Sequence, residues 1–250
     1  MKLTVVSYNI HRAIGVDRSF RPERIVQILT HHNADLVLLQ EVDDGVPRSN
    51  HLDLARELAE ELEYPYRAVG HNVSLRKGRY GNATLSRYPI ERERNIDLTI
   101  GRKKRRGCQH TTLSVEKRPG YPHRLEVFNL HLGLSARERQ QQVGLLASSR
   151  EFARLEHGAA CIVGGDFNDW RSLLRPFFVD VLDFDCATEG LTKRGRSPIR
   201  TYPSFSPQGP LDRLYFRGSL KRLMARRCRL RSSVVASDHL PVIVEFELTG

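Results

Sequence analysis

Asp166 and Asn168 stand two residues apart in Gly164-Gly165-Asp166-Phe167-Asn168, directly after the apolar run Cys161-Ile162-Val163. The two glycines read as a sharp turn. If the backbone stays extended, neighbours at i and i+2 point the same way, which sets a carboxylate beside a carboxamide at the mouth of a strand. Such a pair can take a proton from water and hold that water in place. The competing reading is a polar turn after a core strand, because Asp and Asn are common turn formers. Other positions weigh against it. Asn9 closes one apolar run and Glu41 follows another, while His131, Asp212, Asp238 and His239 also fall at predicted strand ends. Polar groups at the ends of separate strands suggest one polar floor where those ends meet. The set combines carboxylates with Asn and His and has no cysteine pair, which favours a hard cation, Mg²⁺ or Mn²⁺, over zinc. The chain has no Gly-rich loop with a Lys and no Gly-x-Ser-x-Gly elbow, so a nucleotide cradle and a covalent serine mechanism lack support. Water activated by metal and carboxylate, attacking an anionic ester, is the reaction these groups suit.

Hydrophobic periodicity supplies the elements that must carry them. Leu3 to Ile10 alternates as a strand ending on Asn9. Pro22 suits the first turn of a helix whose apolar face is Ile25, Ile28 and Leu29, stopped by Asn33-Ala34-Asp35. Leu36 to Leu39 is a strand buried on both faces, and it runs straight into Gln40-Glu41. A Glu there is costly unless paired or bound to metal. A second helix spans Asn50 to Leu62, with Asn50 as its cap and Leu54, Leu58 and Leu62 as its stripe. Tyr66 to Gly70 is a short strand, 72–79 a polar basic loop, and Gly81 to Ser86 a strand. Asn95 to Ile100 and Cys108 to Glu116 read as paired strands, with Arg102-Lys103-Lys104-Arg105-Arg106 at the hairpin tip. That run is either a solvated turn or a phosphate contact, with Arg106 a candidate phosphate ligand. Arg124 to Leu130 is a strand leading to His131, and Ser135 with Glu138 forms a capping box for a helix to about Glu156. Residues 171–205 read as a short helix and then a loop with Lys193, Arg194, Arg196 and Arg200. Strands follow at 211–216, 220–230 and 242–248. No repeat, low-complexity tract or linker interrupts the chain, so residues 1–250 read as one domain.

With 40 Lys+Arg against 29 Asp+Glu, the formal charge is +11 and the sequence pI near 9.9. Polyanions, nucleic acid or anionic lipid, are the expected partners. The N-terminus lacks a signal-peptide layout, and no apolar run is long enough to span a bilayer. Four widely spaced cysteines form no metal pair and no secreted framework, which points to reduced thiols in a cytoplasmic protein.

Six segments carry a resemblance: Ser7-Tyr8-Asn9-Ile10, Leu39-Gln40-Glu41-Val42, Gly81-Asn82-Ala83, Asn129-Leu130-His131-Leu132, Gly165-Asp166-Phe167-Asn168 and Ser237-Asp238-His239-Leu240-Pro241. In this order they resemble the motifs of the endonuclease/exonuclease/phosphatase superfamily, which includes DNase I-like nucleases, inositol polyphosphate phosphatases and neutral sphingomyelinases. The match spans residues 4–248. The resemblance implies a DNase I-like fold, a four-layer α/β/β/α sandwich of two mixed sheets flanked by helices. It implies metal held by Glu41, Asn9 and Asp238, water handled by Asp166 and placed by Asn168, and phosphate contacts from His239, His131 and Asn82. Members often carry Ile-Asp-Tyr or Ile-Asp-His in the penultimate strand, where this chain has Leu211-Asp212-Arg213. Asp212 is kept and would fix the tautomer of His239, whereas Arg213 is expected on the opposite strand face, reaching solvent or an acidic partner.

The charge, the cationic run and the Arg-rich 193–231 region favour a monomeric nuclease that cleaves DNA with little sequence preference and without stable membrane association. His131, in place of the Tyr used by abasic-site repair enzymes, leans the same way. A phosphoesterase acting on a phospholipid head group or a small phosphorylated molecule is the alternative. A non-catalytic nucleic-acid binder is disfavoured by the intact polar set.

Overall fold

Strict alternation in the central strands decides the architecture. In β1 (Lys2–Asn9), Leu3 and Val5 face one way and Val6 and Tyr8 the other; in β2 (Leu36–Asp44), Leu36 and Leu38 oppose Val37 and Leu39. Every one of these side chains is buried. A sheet apolar on both faces needs a cover on each. The computed structural model, which describes residues 1–118, 120–156, 158–192 and 195–249, shows both covers. Lys193 and Arg194 of the basic loop lie outside the described residues.

The strands continue as β3 (Tyr66–Ser74), β4 (Arg79–Ser86), β5 (Ile90–Asp97), β6 (Gly107–Arg118), β7 (Tyr121–His131), β8 (Ala160–Asp166), β9 (Asp185–Cys186), β10 (Glu189–Thr192), β11 (Gly195–Pro198), β12 (Asp212–Arg217), β13 (Leu220–Arg227) and β14 (Val242–Leu248). One sheet runs β13-β14-β1-β2-β4-β3, the other β5-β6-β7-β8-β12-β9, and β10 pairs with β11. Each large sheet is antiparallel except at its central pair, β1–β2 and β7–β8. The helices are α1 (Pro22–His32), α2 (Leu54–Glu61), α3 (Ala136–Ser148), α4 (Arg150–Ala153) and α5 (Arg231–Ala236). Ile25, Ile28, Leu29, Leu54 and Leu58 of α1 and α2 pack on Val6, Tyr8, Val37 and Leu39. Val143, Leu146 and Phe152 of α3 and α4 pack on Phe128, Val163 and Tyr215 of the second sheet. Between the sheets Leu3, Val5, Leu38, Leu125, Val127, Ile162 and Val244 form the middle core. The expected four-layer sandwich of two mixed sheets flanked by helices is therefore the observed one.

Several local expectations change. The second helix starts at Leu54, capped by Asp53, whose carboxylate accepts from Arg56 N at 3.1 Å. Asn50 instead sits in the left-handed region at φ 54°, closing a short turn. Half of the 72–79 loop is strand, and residues 75–78 alone join β3 to β4. The helix after Ser135 breaks at Ser149, whose side chain accepts from Phe152 N and starts α4. Ser135 does cap Glu138 N at 3.3 Å, but the Glu138 carboxylate turns to Lys103 and Gln142. Arg213 does not reach solvent. It is buried, and it donates to Pro210 O at 2.9 Å and to the Ser172 hydroxyl.

At one end of the middle core the apolar pattern gives way to amides. β2 and β4 lose register between Leu39 and Val42, and Glu41 in that bulge has φ 57°. Asn129 Nδ2, from the opposite sheet, donates to Leu39 O at 3.1 Å and to Ala83 O at 3.0 Å, carbonyls at the edge of the break. Gln40 Nε2 donates to Asn129 Oδ1 at 2.8 Å, and Asn82 Nδ2 to Asn129 O at 3.0 Å. Asn129→Ala would take the side-chain partner from Leu39 O, Ala83 O and Gln40 Nε2, while Asn82 would keep its bond to the backbone carbonyl. We expect a loss of about 2–4 kcal/mol in urea unfolding, from unsatisfied buried groups. An unchanged midpoint would remove Asn129 as the tie between the sheets.

Candidate active site

The two parallel pairs bring four strand ends to one side. Asn9 closes β1, Glu41 sits in the β2 bulge, and His131 and Asp166 close β7 and β8 in register with each other. Gly164 and Gly165 lie inside β8 rather than in a turn. Gly165, at φ 138°, must be glycine for a steric reason, since a Cβ there would lie 1.9 Å from Leu130 O of the neighbouring strand. The chain turns only after Asp166. Asn168 adopts φ 50°, and its N–H donates to Asp166 Oδ1 at 2.9 Å, so the pair is joined by an Asx-type turn rather than side by side on a strand. Phe167 between them packs inward on Phe178 and Tyr215.

Asp166 is the hub. Asn9 Nδ2 donates to its Oδ2 at 3.0 Å, and the same oxygen lies 3.4 Å from His131 Nε2 and 3.7 Å from His239 Nε2. Behind His239, Asp212 Oδ2 meets Nδ1 at 2.8 Å and accepts from Thr201 Oγ1 at 2.5 Å. Ser237 Oγ donates to Asn9 O at 2.7 Å and accepts from His239 N at 3.1 Å, which fixes the loop before β14 against the end of β1. These groups open onto a cleft of about 550 Å³, also lined by Glu41, Asp238, Asn168, Lys103, Lys104 and Arg106.

Charge is distributed unevenly. Burial pushes the Asp166 carboxyl up to about 6, against the pull of His239. Burial would lower His239, but Asp212, Asp166 and Asp238 outweigh it and raise the ring to about 10. His131 goes the other way: burial, then Arg106 and His239, hold it well below its ordinary value. Neighbouring imidazoles thus favour opposite states, His239 charged and His131 neutral.

Of the residues singled out from sequence, Asn9, Glu41, Arg106, His131, Asp166, Asn168, Asp238 and His239 line the cleft, and Asp212 stands behind it. Asn82 does not line it. Its Nδ2 is spent on Asn129 O and Gly107 O, so no N–H remains for a phosphate. Arg106 is buried with Nε unpartnered, and it has no ion pair among the described residues. Sequence reasoning gave no role to Arg12, Tyr202 or Trp170. Arg12 Nε lies 3.2 Å from Glu41 Oε2. It is brought there by three consecutive left-handed residues, His11, Arg12 and Ala13, which no local pattern announces.

Comparison with known proteins fits this geometry. The model of the Endonuclease/Exonuclease/phosphatase family matches residues 6–239. The "Uncharacterized protein YbhP" of Escherichia coli strain K12 is 31% identical, over 98% of this chain and 96% of that one. The chain belongs to the endonuclease/exonuclease/phosphatase family. The fold of this family recurs at lower identity. A family protein from Beutenbergia cavernae superposes with TM-score 0.76 at 20% identity, over 100% of this chain and 72% of that one. Truncated TDP2 from Caenorhabditis elegans gives 0.71 at 22% identity, over 98% of this chain and 97% of that one. A mannosyl-6-phosphatase from Bacteroides thetaiotaomicron gives 0.73 at 19% identity, over 98% and 99%.

Endonuclease/exonuclease/phosphatase enzymes hydrolyse phosphoesters and generally use divalent metal ions. Among the described residues no group of three or more His, Cys, Asp or Glu is arranged to hold an ion. Mg²⁺ does not require one, because it keeps several waters and binds through one or two carboxylates. Glu41 Oε2 is buried without a hydrogen-bond donor, as such a ligand should be, and the Arg12 guanidinium stands beside it. The oxygen donors present therefore fit a hard cation. In the His239 pair, Asp212→Asn should lower the ring's titration midpoint by about 1–3 pH units, followed by its NMR signal. A midpoint that does not move would dismiss Asp212 as the group that keeps the ring charged.

Proposed function

We propose that this chain is a divalent-metal-dependent phosphodiesterase that cleaves the DNA backbone with little sequence preference. On this reading residues 1–250 act as one cytoplasmic, monomeric unit without stable membrane association. One observation carries it: a buried carboxylate, Asp166, faces one charged and one neutral imidazole in a cleft that also carries Lys103, Lys104 and Arg106. A carboxyl titrating near 6 can accept a proton from water close to neutral pH. The water, placed by Asn168, would attack phosphorus as Asp166 takes its proton; the bond from phosphorus to one sugar oxygen breaks as the new one forms, and that leaving oxygen takes a proton from solvent. His239, kept charged by Asp212, and neutral His131 face the phosphoryl oxygens and stabilise the charge that builds there. Glu41, Asn9 and Asp238 would hold Mg²⁺ or Mn²⁺, which would supply Lewis acidity toward the phosphoryl group. Arg106, with Lys103 and Lys104, would bind flanking phosphates, which recognises a backbone rather than a sequence.

The test is a substrate panel with Mg²⁺, Mn²⁺ or EDTA: plasmid, single-stranded DNA, RNA, a sphingomyelin or phosphatidylinositol analogue, and a chromogenic phosphomonoester. Nicking of plasmid that EDTA abolishes is the expected result. Cleavage of only the lipid or the monoester would replace DNA as substrate. Asp166→Ala and His239→Ala should each lower turnover by about 10²–10³ or more with circular dichroism unchanged. Near-normal hydrolysis by either variant would sink its assigned role.

A further inference from the structure

The phosphoester chemistry leaves the outer part of the cleft unexplained. Trp170, the single tryptophan of the chain, lines it and is 52% exposed. Large exposed aromatics usually lie loose on a surface. This one is seated. A Cβ added at Gly209 would come within 2.9–3.2 Å of three atoms of the indole ring, so the ring lies directly against the Gly209 backbone. Tyr202 meets it edge-on, with centroids 5.6 Å apart, and Tyr202 is itself tilted against His239 at 5.0 Å. Three rings therefore step outward from the histidine beside Asp166 to solvent. The phosphate-seeking groups and a flat, fixed, half-open aromatic surface share one cleft.

That juxtaposition selects among phosphate esters. A free phosphate or a small sugar phosphate has no use for a ring one residue-length out from the phosphorus. An acyl chain would want continuous aliphatic surface, yet Leu134 is the one exposed aliphatic side chain among the described residues lining the cleft. A nucleobase offers a flat π-face a sugar away from its phosphate, and every base can stack on an aromatic ring without regard to sequence. Bases inside an intact duplex have both faces covered by their neighbours. Resting on the phosphodiesterase reading above, we propose that Trp170 is a stacking platform for an unpaired base. The enzyme would thus take single-stranded or locally opened nucleic acid in preference to closed duplex. Tyr202 holds the platform at its distance from His239, and Gly209 leaves room for the ring.

The test uses full-length Asp166→Asn protein with Mg²⁺, so that binding is read without cleavage. Because Trp170 is the single tryptophan, intrinsic fluorescence reports the platform itself. The probes are an oligo-dT strand, an abasic strand with the same number of phosphates, the corresponding duplex, and phosphatidylglycerol–phosphatidylcholine vesicles. Oligo-dT should quench the emission and bind about tenfold to a hundredfold more tightly than the abasic strand. In anisotropy with a labelled strand, Trp170→Ala should lose that advantage and Trp170→Phe should keep most of it. Gly209→Ala, whose Cβ would push the ring from its seat, should weaken it although residue 170 is still tryptophan. Equal binding of abasic and dT strands, equal binding and quenching by duplex, quenching by vesicles alone, or unchanged binding by Trp170→Ala would each overturn the proposal. The two readings fail separately. Hydrolysis with no base-dependent binding removes the platform alone, and base-dependent binding with no hydrolysis of any nucleic acid removes the catalytic reading alone.

Discussion

The hydrogen bond from Gln40 to Asn129, with the amide contacts around it, is the constraint on which the rest of the site depends. Two sheets packed through leucine and valine can slide, because dispersion contacts are nearly indifferent to small displacements. A network of buried amides is not, since each misplaced donor loses its partner in a medium where no water replaces it. The network lies where β2 breaks its ladder to turn Glu41 into the cleft. The bulge that aims Glu41 therefore also frees the carbonyls that bind Asn129, two residues from His131. One sheet's irregularity is the other sheet's anchor. That is how a group from each half of the sandwich keeps a fixed relation to the other.

Burial then sets the chemistry. Asp166 and Asp212 both lie against His239, so one imidazolium serves two carboxylates. Removing water would be unfavourable for any of the three alone; the imidazolium offsets both carboxylates and they offset it, while Asp212 still pushes the Asp166 carboxyl up. His131 receives the opposite treatment: burial lowers it first, and Arg106 and His239, facing it from the same cleft, add to the lowering where carboxylates reverse it for His239. The asymmetry between two histidines arises from their neighbours and not from their own exposure, since both are buried to a similar degree.

The strands β1, β2 and β8 were legible because they are short, apolar and spaced by helices with clear stripes, whereas their arrangement as a four-layer sandwich was what the family resemblance implied. The polar groups at their ends were legible for the same reason, as residues that have no place in a dry strand. What escaped was set by backbone reversals and tertiary contacts. Asn50 looks like a cap but takes a left-handed turn, and Asp53 caps instead. Asn82 resembles a phosphate donor in sequence, yet its amide is consumed by the carbonyls of Asn129 and Gly107. Arg213 alternates outward on paper, but it is buried against Pro210 O and the Ser172 hydroxyl, which come from two separate stretches of chain. Trp170 lies beside the Asp166 turn, but its exposure depends on Gly209, thirty-nine residues away by number.

Arg12 gives the cleft a further property. Three left-handed residues hold its guanidinium beside Glu41, at a conformational cost of about 1–2 kcal/mol for each. The carboxylate thus carries an internal counter-ion. A cation arriving at Glu41 would find part of that charge already answered, so it would gain less there than at a bare carboxylate.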